Sequence, residues 1–179
     1  MRKTVLVLSA SPRRGGNSDI LCDQFVKGAQ EAGHQAEKIF LGDKTISYCI
    51  GCETCMQNGG ICVQDDDMEE LLSKMIDADV IVLATPVYFY SMDAQLKTVI
   101  DRTVARYTEV ANKEFYFIAT AATNEQKLLE PTIEGLRGFT SCLNGAQERG
   151  VIYGCGAWKK GDIRKKDTMD HTYEMGKRL

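Results

Sequence analysis

The sequence predicts an α/β domain in which a parallel sheet carries helices on both faces. Short, uninterrupted apolar runs occur at residues 5–8, 80–83 and 115–119, and such runs are typical of strands buried on both faces. Segments with apolar residues at three- and four-residue steps separate the runs, as in amphipathic helices. Strand and helix therefore alternate, which is the pattern of a parallel sheet with crossover helices.

The elements follow one another in chain order. The predicted strands cover residues 5–8, 36–41, 80–83, 115–119 and 149–153. The first predicted helix carries Ile20 and Phe25 on its apolar face and stops at Gly33, because glycine is favoured just after a helix. The later helices are predicted after the acidic triplet 65–67, at 93–104, at 126–143 with a break near Pro131, and at 162–179.

Length and charge restrict the class of protein. The 179 residues suit one domain, residues 1–179, with a cysteine-rich excursion at 42–64. A net charge of −3 argues against a basic nucleic-acid-binding face. The N-terminal apolar run is too short for a signal segment, and no run approaches the length of a membrane span. We therefore expect a cytoplasmic protein with no nucleic-acid or membrane partner.

The fold class predicts where a ligand lies. In open parallel sheets, ligands bind beyond the carboxyl ends of the strands, where the strand order reverses. Three loops are expected at that edge: residues 9–18, 85–91 and 120–125.

The first of these loops has the composition of a phosphate-binding loop. It carries hydroxyls at Ser9, Ser11 and Ser18, two arginines, and adjacent glycines at Gly15 and Gly16 that let the backbone approach an anion. A capped helix follows, whose free N–H groups and dipole favour an anion at the same point. The alternative is a glycine-rich turn before a capped helix, with no ligand. Neither a dinucleotide fingerprint nor a nucleotide P-loop is present, so a mononucleotide phosphate fits the pattern best.

The second loop places aromatic rings at the end of the most apolar strand. Residues 85–90 read Thr-Pro-Val-Tyr-Phe-Tyr. Proline ends the strand, and the rings that follow suit the face of a planar cofactor. The same aromatics could instead close the core, and the sequence alone does not separate these two interpretations.

Several motifs together resemble one family. Residues 11–18 read Ser-Pro-Arg-Arg-Gly-Gly-Asn-Ser and resemble the first flavin loop of the flavodoxin-like NADPH-dependent FMN reductases, and residues 85–89 resemble their second flavin loop. Residues 49–68 resemble the iron–sulfur flavoprotein branch, with Cys-x2-Cys-x2-Cys-x6-Cys before Asp-Asp-Met. Residues 95–97 and 101–102 fit the helix that follows in the family. The resemblance is densest over residues 5–103.

The resemblance implies a flavodoxin-like three-layer sandwich with strand order 2-1-3-4-5 and non-covalent FMN. It implies that the phosphate is bound by Ser9, Ser11, Arg13, Gly16, Asn17 and Ser18. It implies that the isoalloxazine ring lies, largely on backbone amides, against Pro86, Val87, Tyr88 and Phe89. The third loop lacks the glycines of many relatives, and its expected contacts are Ala122 and Thr123. The resemblance also implies a homodimer or homotetramer with flavin sites near a subunit interface.

Four of the seven cysteines, Cys49, Cys52, Cys55 and Cys62, have ligand-like spacing and four interpretations. They could bind a [4Fe–4S] cluster, since four closely spaced thiolates are its usual ligands. They could bind structural zinc, although three cysteines in seven residues fit poorly with two separated Cys-x2-Cys pairs. They could include a redox-active thiol pair, Cys52 with Cys55. They could also be thiols without a ligand.

Two functions follow from the resemblance. The first is an FMN oxidoreductase, in which NAD(P)H binds transiently and the flavin passes electrons to a quinone, an azo or nitro compound, free flavin or an iron–sulfur centre. No catalytic side chain is expected, because the flavin carries the chemistry. The second is an electron carrier that takes electrons from ferredoxin and has no nicotinamide site.

Overall fold

The computed structural model describes residues 1–179, and its centre is a sheet of five parallel strands. The strands are β1 (Thr4–Ser9), β2 (Gln35–Phe40), β3 (Val80–Pro86), β4 (Glu114–Thr120) and β5 (Gln147–Gly154). Their order is β2-β1-β3-β4-β5. The predicted fold class and strand order are therefore confirmed, and the order reverses between β1 and β3.

Helices cover both faces of the sheet. The helices are α1 (Asn17–Glu31), α2 (Thr54–Gln57), α3 (Met68–Asp77), α4 (Ala94–Arg102), α5 (Glu130–Ser141) and α6 (Thr168–Lys177). Apolar residues of α1 pack in one buried cluster, to which α6 adds partly buried methionines, and those of α3, α4 and α5 pack in the other. None of these helices combines the length and the apolar character needed to cross a membrane.

The two buried clusters arise from the two-residue period of the strands. In β1, Leu6 and Leu8 belong to the cluster under α3, α4 and α5, whereas Val5 and Val7 belong to the cluster under α1. Successive side chains of a strand point to opposite faces, so an unbroken apolar run supplies both cores. This explains why the strands show no alternation of polar and apolar residues.

Helices α1 and α6 approach each other closely through two glycines. A Cβ added to Gly28 would lie 2.1 Å from the carbonyl oxygen of Tyr173, and one added to Gly176 would lie 2.2 Å from that of Phe25. Only glycine leaves room for these backbones. This contact holds α6 against α1.

The structure shortens three predicted helices. The predicted helix at 93–104 becomes α4 and a 3-10 turn at Thr103–Ala105. The predicted segment 126–143 consists of a 3-10 turn at Gln126–Leu128 and then α5, in which Pro131 lies in the first turn, where its missing N–H removes no helical bond. The predicted final helix likewise divides into a 3-10 turn at Asp162–Lys165 and α6. Within the cysteine-rich excursion, α2 is the only α-helix.

Candidate functional site

A cavity of about 810 Å³ opens at the carboxyl edge of the sheet. Its walls come from the loops after β1, β3, β4 and β5. The lining residues are Arg13, Asn17, Pro86, Val87, Tyr88, Phe89, Thr120, Ala121, Ala122, Ala157, Trp158, Lys159 and Lys160. This volume lies within the range of about 300–1,000 Å³ that is usual for ligand sites. The cavity therefore lies where the fold class predicts a ligand.

The cavity brings together part of the predicted flavin site. Seven predicted residues line it: Arg13, Asn17, Pro86, Val87, Tyr88, Phe89 and Ala122. Five predicted residues do not line it: Ser9, Ser11, Gly16, Ser18 and Thr123. Thr123 is bonded within the protein instead: its carbonyl oxygen accepts from the amide of Gly156 and its hydroxyl accepts from the amide of Glu125.

Ser9 is bound to a neighbouring carboxylate rather than free for a phosphate. Its Oγ is fully buried and donates to Oδ1 of Asp19 at 2.8 Å. Asp19 also accepts from the amide of Gly15 at 2.7 Å and from Nζ of Lys38 at 2.8 Å. Burial alone would raise the pKa of Asp19, but these bonds hold that pKa below its ordinary value. An ionised Asp19 thus fixes the loop to α1, a role that the sequence pattern did not reveal.

The first loop retains the features of a phosphate site. A Cβ on Gly16 would lie 2.3 Å from Oγ of Ser11 and 2.8 Å from the carbonyl oxygen of Arg13, so only glycine fits. The hydroxyl of Ser18, in the first turn of α1, is 1% exposed and has no hydrogen-bond partner within the protein. Buried polar groups are normally paired, so a phosphate at this loop would supply the partner that this hydroxyl lacks. A cradle at a helix N-terminus with an unpaired donor fits the phosphate of FMN.

Asn17 has a structural role that links two distant segments. Its Nδ2 donates to the carbonyl oxygens of Ala157 and Lys159, both at 3.0 Å. Its Oδ1 accepts from the amides of Gly161 at 3.0 Å and Ile163 at 3.3 Å. These bonds hold the segment 157–163, which we call the strap, against the first loop. The strap brings Trp158, Lys159 and Lys160 to the cavity.

The second loop forms a tight turn that presents its rings to the surface. The amides of Tyr88 and Ser91 each donate to the other's carbonyl oxygen, while Phe89 and Tyr90 adopt left-handed backbone angles with φ of 49° and 63°. Phe89 is fully exposed as a result. Since the amide of Val87 donates to Thr120 at 2.8 Å, few amides of this loop remain for a flavin. The amides of Phe89 and Tyr90 have no acceptor within the protein. The predicted contact between backbone amides and the isoalloxazine ring is therefore reduced to these two residues.

A buried acid lies beneath this loop. Asp93 is 1% exposed, and its Oδ1 accepts from the amide of Leu96 at 3.1 Å, which caps α4. Its own amide donates to Oγ1 of Thr85 at 2.9 Å, and its Oδ2 has no partner. Burial raises the pKa of Asp93 to about 7. The sequence contains an N-cap signal at this position, but nothing that predicts such a pKa.

The four clustered cysteines line a second, mostly apolar cavity of about 100 Å³. No three His, Cys, Asp or Glu side chains converge so as to hold one metal ion. A structural zinc site requires such convergence, whereas the irons of a cluster each take a thiolate of their own. The four thiols therefore line one cavity without forming a site for a single metal ion. The amide and hydroxyl of Thr54 lower the pKa of Cys52, which suits the thiol-pair interpretation as well.

A buried ion pair closes the cysteine-rich excursion. Arg102 and Asp66 have side chains that are 2% and 6% exposed, and their closest atoms, Nη1 and Oδ2, are 2.7 Å apart. Arg102 also donates to the carbonyl oxygen of Ser47 at 2.7 Å and reaches Sγ of Cys62 at 3.5 Å. Burial alone would raise the pKa of Asp66, but bonds from Arg102 and from the amides of Ser47 and Met68 hold it low. The pair thus ties both ends of the cysteine segment to α4.

Comparison with known proteins gives the family of this chain. A model of the NADPH-dependent FMN reductase family matches residues 3–131, which is more than two thirds of the chain. The chain belongs to the NADPH-dependent FMN reductase family. Members of this family are FMN-dependent oxidoreductases, and the matched region contains both predicted flavin loops and the four clustered cysteines.

The relatives of this FMN reductase family member are named either as iron–sulfur flavoproteins or as NAD(P)H-dependent oxidoreductases. An iron–sulfur flavoprotein of Archaeoglobus fulgidus is 44% identical over 92 residues, covering 51% of this chain and 41% of that protein. YwqN of Bacillus subtilis, named as an NAD(P)H-dependent FMN-containing oxidoreductase, is 26% identical over 168 residues, covering 89% and 88%. The chain spans about half the length of the iron–sulfur flavoproteins that it matches.

A solved structure shares the fold of this FMN reductase family member along its whole length. NAD(P)H:quinone oxidoreductase from Methanothermobacter marburgensis has a TM-score of 0.76 and 19% identity, and the match covers 100% of this chain and 98% of that one. At 19% identity, this structural similarity shows that the two chains share the flavodoxin-like fold.

Proposed function

We propose that this chain binds FMN non-covalently in the cavity at the carboxyl edge and oxidises NAD(P)H. The observation that carries the proposal is that Arg13 and Asn17 of the first loop line the same cavity as the aromatic second loop. Membership of the FMN reductase family supports FMN as the flavin. The name of YwqN, which covers most of this chain, supports a nicotinamide donor.

The two ends of the cavity differ in the chemistry of the residues that line them. At the first loop, the cation of Arg13 lines the cavity and suits a phosphate, and the close-packed Gly16 and the unpaired Ser18 hydroxyl belong to the same loop. At the second loop, Pro86 and Val87 supply apolar contacts for a flat ring. The two ends therefore orient one ligand that has an anion at one side and a planar ring system at the other.

Protein residues bind and orient the flavin in this proposal. When bound, FMN supplies electron transfer between a nicotinamide and an acceptor. Asp19 keeps the first loop in place, and the turn that holds Phe89 leaves one side of the cavity open to the surface. An open side suits a nicotinamide and an acceptor that occupy the site in turn. We propose a quinone, an azo or nitro compound, a free flavin or an iron–sulfur centre as the acceptor.

Anaerobic purification followed by absorption spectroscopy tests this proposal. We expect yellow protein whose flavin bands bleach when NADPH or NADH is added. Added FMN should restore the bands to protein from which the flavin has been removed. Colourless protein that takes up no FMN would overturn the proposal, since all of the proposed chemistry depends on the flavin.

A second candidate is an electron carrier that contains FMN and a [4Fe–4S] cluster and accepts electrons from ferredoxin. The four thiols around one cavity favour it, as do the names of several relatives. Cys49, Cys52, Cys55 and Cys62 would hold the cluster. Bleaching by reduced ferredoxin but not by NAD(P)H would favour this function over the reductase.

Iron content tests the cluster separately from the flavin. We expect Cys62→Ser to lower the iron bound per chain and the broad iron–sulfur absorption while leaving the flavin bands in place. Cys142→Ser is the matched control, because Cys142 is an exposed cysteine outside the four-cysteine segment and does not line its cavity. Equal iron in both variants, or no iron in the parent protein, would contradict the cluster.

We also propose that the chain forms a homodimer or homotetramer. Phe89, Tyr90 and Trp158 lie beside the cavity with exposed fractions of 100%, 60% and 73%. Large apolar side chains grouped at a surface are typical of subunit contacts. Light scattering on the purified protein tests this, and a monomer at micromolar concentration would contradict it.

A further inference from the structure

We propose that Lys160 binds the flavin phosphate and that Asn17 is the residue that positions it. The inference rests on the proposed FMN function and goes beyond it by assigning a ligand outside the first loop. Neither role follows from the loop motif, which places Asn17 directly on the phosphate.

Lys160 lies over the turn of the phosphate loop. Its Cε is 3.1 Å, and its Nζ 3.5 Å, from the point where a Cβ on Gly15 would lie. Lys160 also lines the cavity, together with Arg13. A side chain of the strap, more than 140 residues along the chain, therefore places its ammonium group beside the backbone that forms the cradle.

The charges around this point lack acidic partners. Arg13, Lys159 and Lys160 all line the cavity, and none of them forms a salt bridge in the structure. The adjacent Arg14, by contrast, pairs with Asp43 outside the cavity. Uncompensated cations at one end of a cavity favour an anion there. The unpartnered Ser18 hydroxyl points to the same kind of ligand.

Asn17 acts through the strap because its side chain has no capacity left for a ligand. Both of its donor hydrogens go to strap carbonyls, and its oxygen accepts two strap amides. An amide group has two donors, and two acceptor positions on its oxygen, so all four are in use. Removing this side chain would release the strap and move Lys160 away from the loop.

Affinity for FMN and for riboflavin, which lacks the phosphate, separates these roles. The experiment uses the full chain with its flavin removed and follows flavin fluorescence during titration. Lys160→Met keeps most of the side chain and removes the charge. Lys165→Met is the matched control, because Lys165 lies in the following 3-10 turn and does not line the cavity.

We expect Lys160→Met to weaken FMN binding by about tenfold to a hundredfold, the usual range for a lost charged hydrogen bond, and to change riboflavin binding by less than about twofold. Lys165→Met should change neither. Asn17→Ala should weaken FMN binding by a similar factor, and the double variant with Lys160→Met should be little weaker than either single variant. That lack of additivity is the sign that Asn17 acts through Lys160.

Three results would overturn the inference. The first is FMN affinity unchanged in Lys160→Met, and the second is an equal loss for FMN and riboflavin. The third is full additivity in the double variant, which would separate Asn17 from Lys160. If the parent chain bound neither flavin, the proposed function itself would fail, so the two failures are distinguishable.

Discussion

Replacing Asp93 by asparagine should change how the stability of the protein depends on pH. Asp93 is buried beneath the second loop, its Oδ2 has no partner, and burial raises its pKa to about 7. In the unfolded chain the pKa of an aspartate is about 3.9. At pH values between these two pKa values, the carboxyl group of Asp93 keeps its proton in the folded form and has released it in the unfolded form. The free energy of unfolding therefore falls as the pH rises through this window.

The size of the effect follows from the same two pKa values. The slope is about 1.4 kcal/mol per pH unit between them, and about two units of the window lie above pH 5. The parent protein should thus lose about 2.7 kcal/mol from this group between pH 5 and pH 8. The asparagine of the Asp93→Asn variant does not titrate, and it can still cap α4. Its unpaired amide costs about 1–3 kcal/mol at both pH values, which leaves the pH-dependent part unchanged.

Urea denaturation at pH 5 and pH 8, followed by circular dichroism, measures the difference. We expect Asp93→Asn to gain stability relative to the parent as the pH rises. Asp77→Asn is the control, because Asp77 is exposed at the end of α3. If the difference between Asp93→Asn and the parent stayed the same at both pH values, the reasoning from burial would be refuted.

Three further substitutions test the loops around the two cavities. Arg102→Met leaves Asp66 buried without its cation, so the free energy of unfolding should fall by about 3–5 kcal/mol in urea denaturation. The loss should be partly recovered when Asp66→Asn is added, and strictly additive losses would contradict the pair. Gly16→Ala forces the cradle to shift and should weaken FMN binding more than riboflavin binding in fluorescence titrations, whereas equal effects would place the change outside the phosphate site. Asp19→Asn should also weaken FMN binding by loosening the loop, although it removes a negative charge, and tighter binding would show that the charge dominates.

Local pattern was enough to predict the sheet. The apolar runs of β1, β3 and β4 are buried on both faces, and burial of this kind depends on residue type and on a period of two. The positions of the two loops that resemble flavin loops also follow from local sequence, because each begins where an apolar run ends. The helix boundaries at 126–143 and 162–179 were less accurate, since 3-10 turns and helix turns share similar residues.

The roles of individual side chains could not be predicted in this way. Ser9 has the composition of a phosphate ligand, yet its hydroxyl lies within reach of Asp19 and is bonded to it. Asn17 belongs to the loop motif, yet its four partners lie 140–146 residues further along the chain. Such partners are brought together only when α6 and the strap dock against α1.

The sequence by itself therefore determined the fold class, the edge of the sheet where the cavity opens, and the family to which the motifs point. Only the tertiary structure decided which of the predicted residues face the cavity and that Lys160 of the strap lies beside the phosphate loop. The physical reason is the difference between the two kinds of interaction. Apolar burial is non-directional and follows local periodicity, whereas hydrogen bonds and ion pairs depend on distances of about 3 Å between groups far apart in the chain.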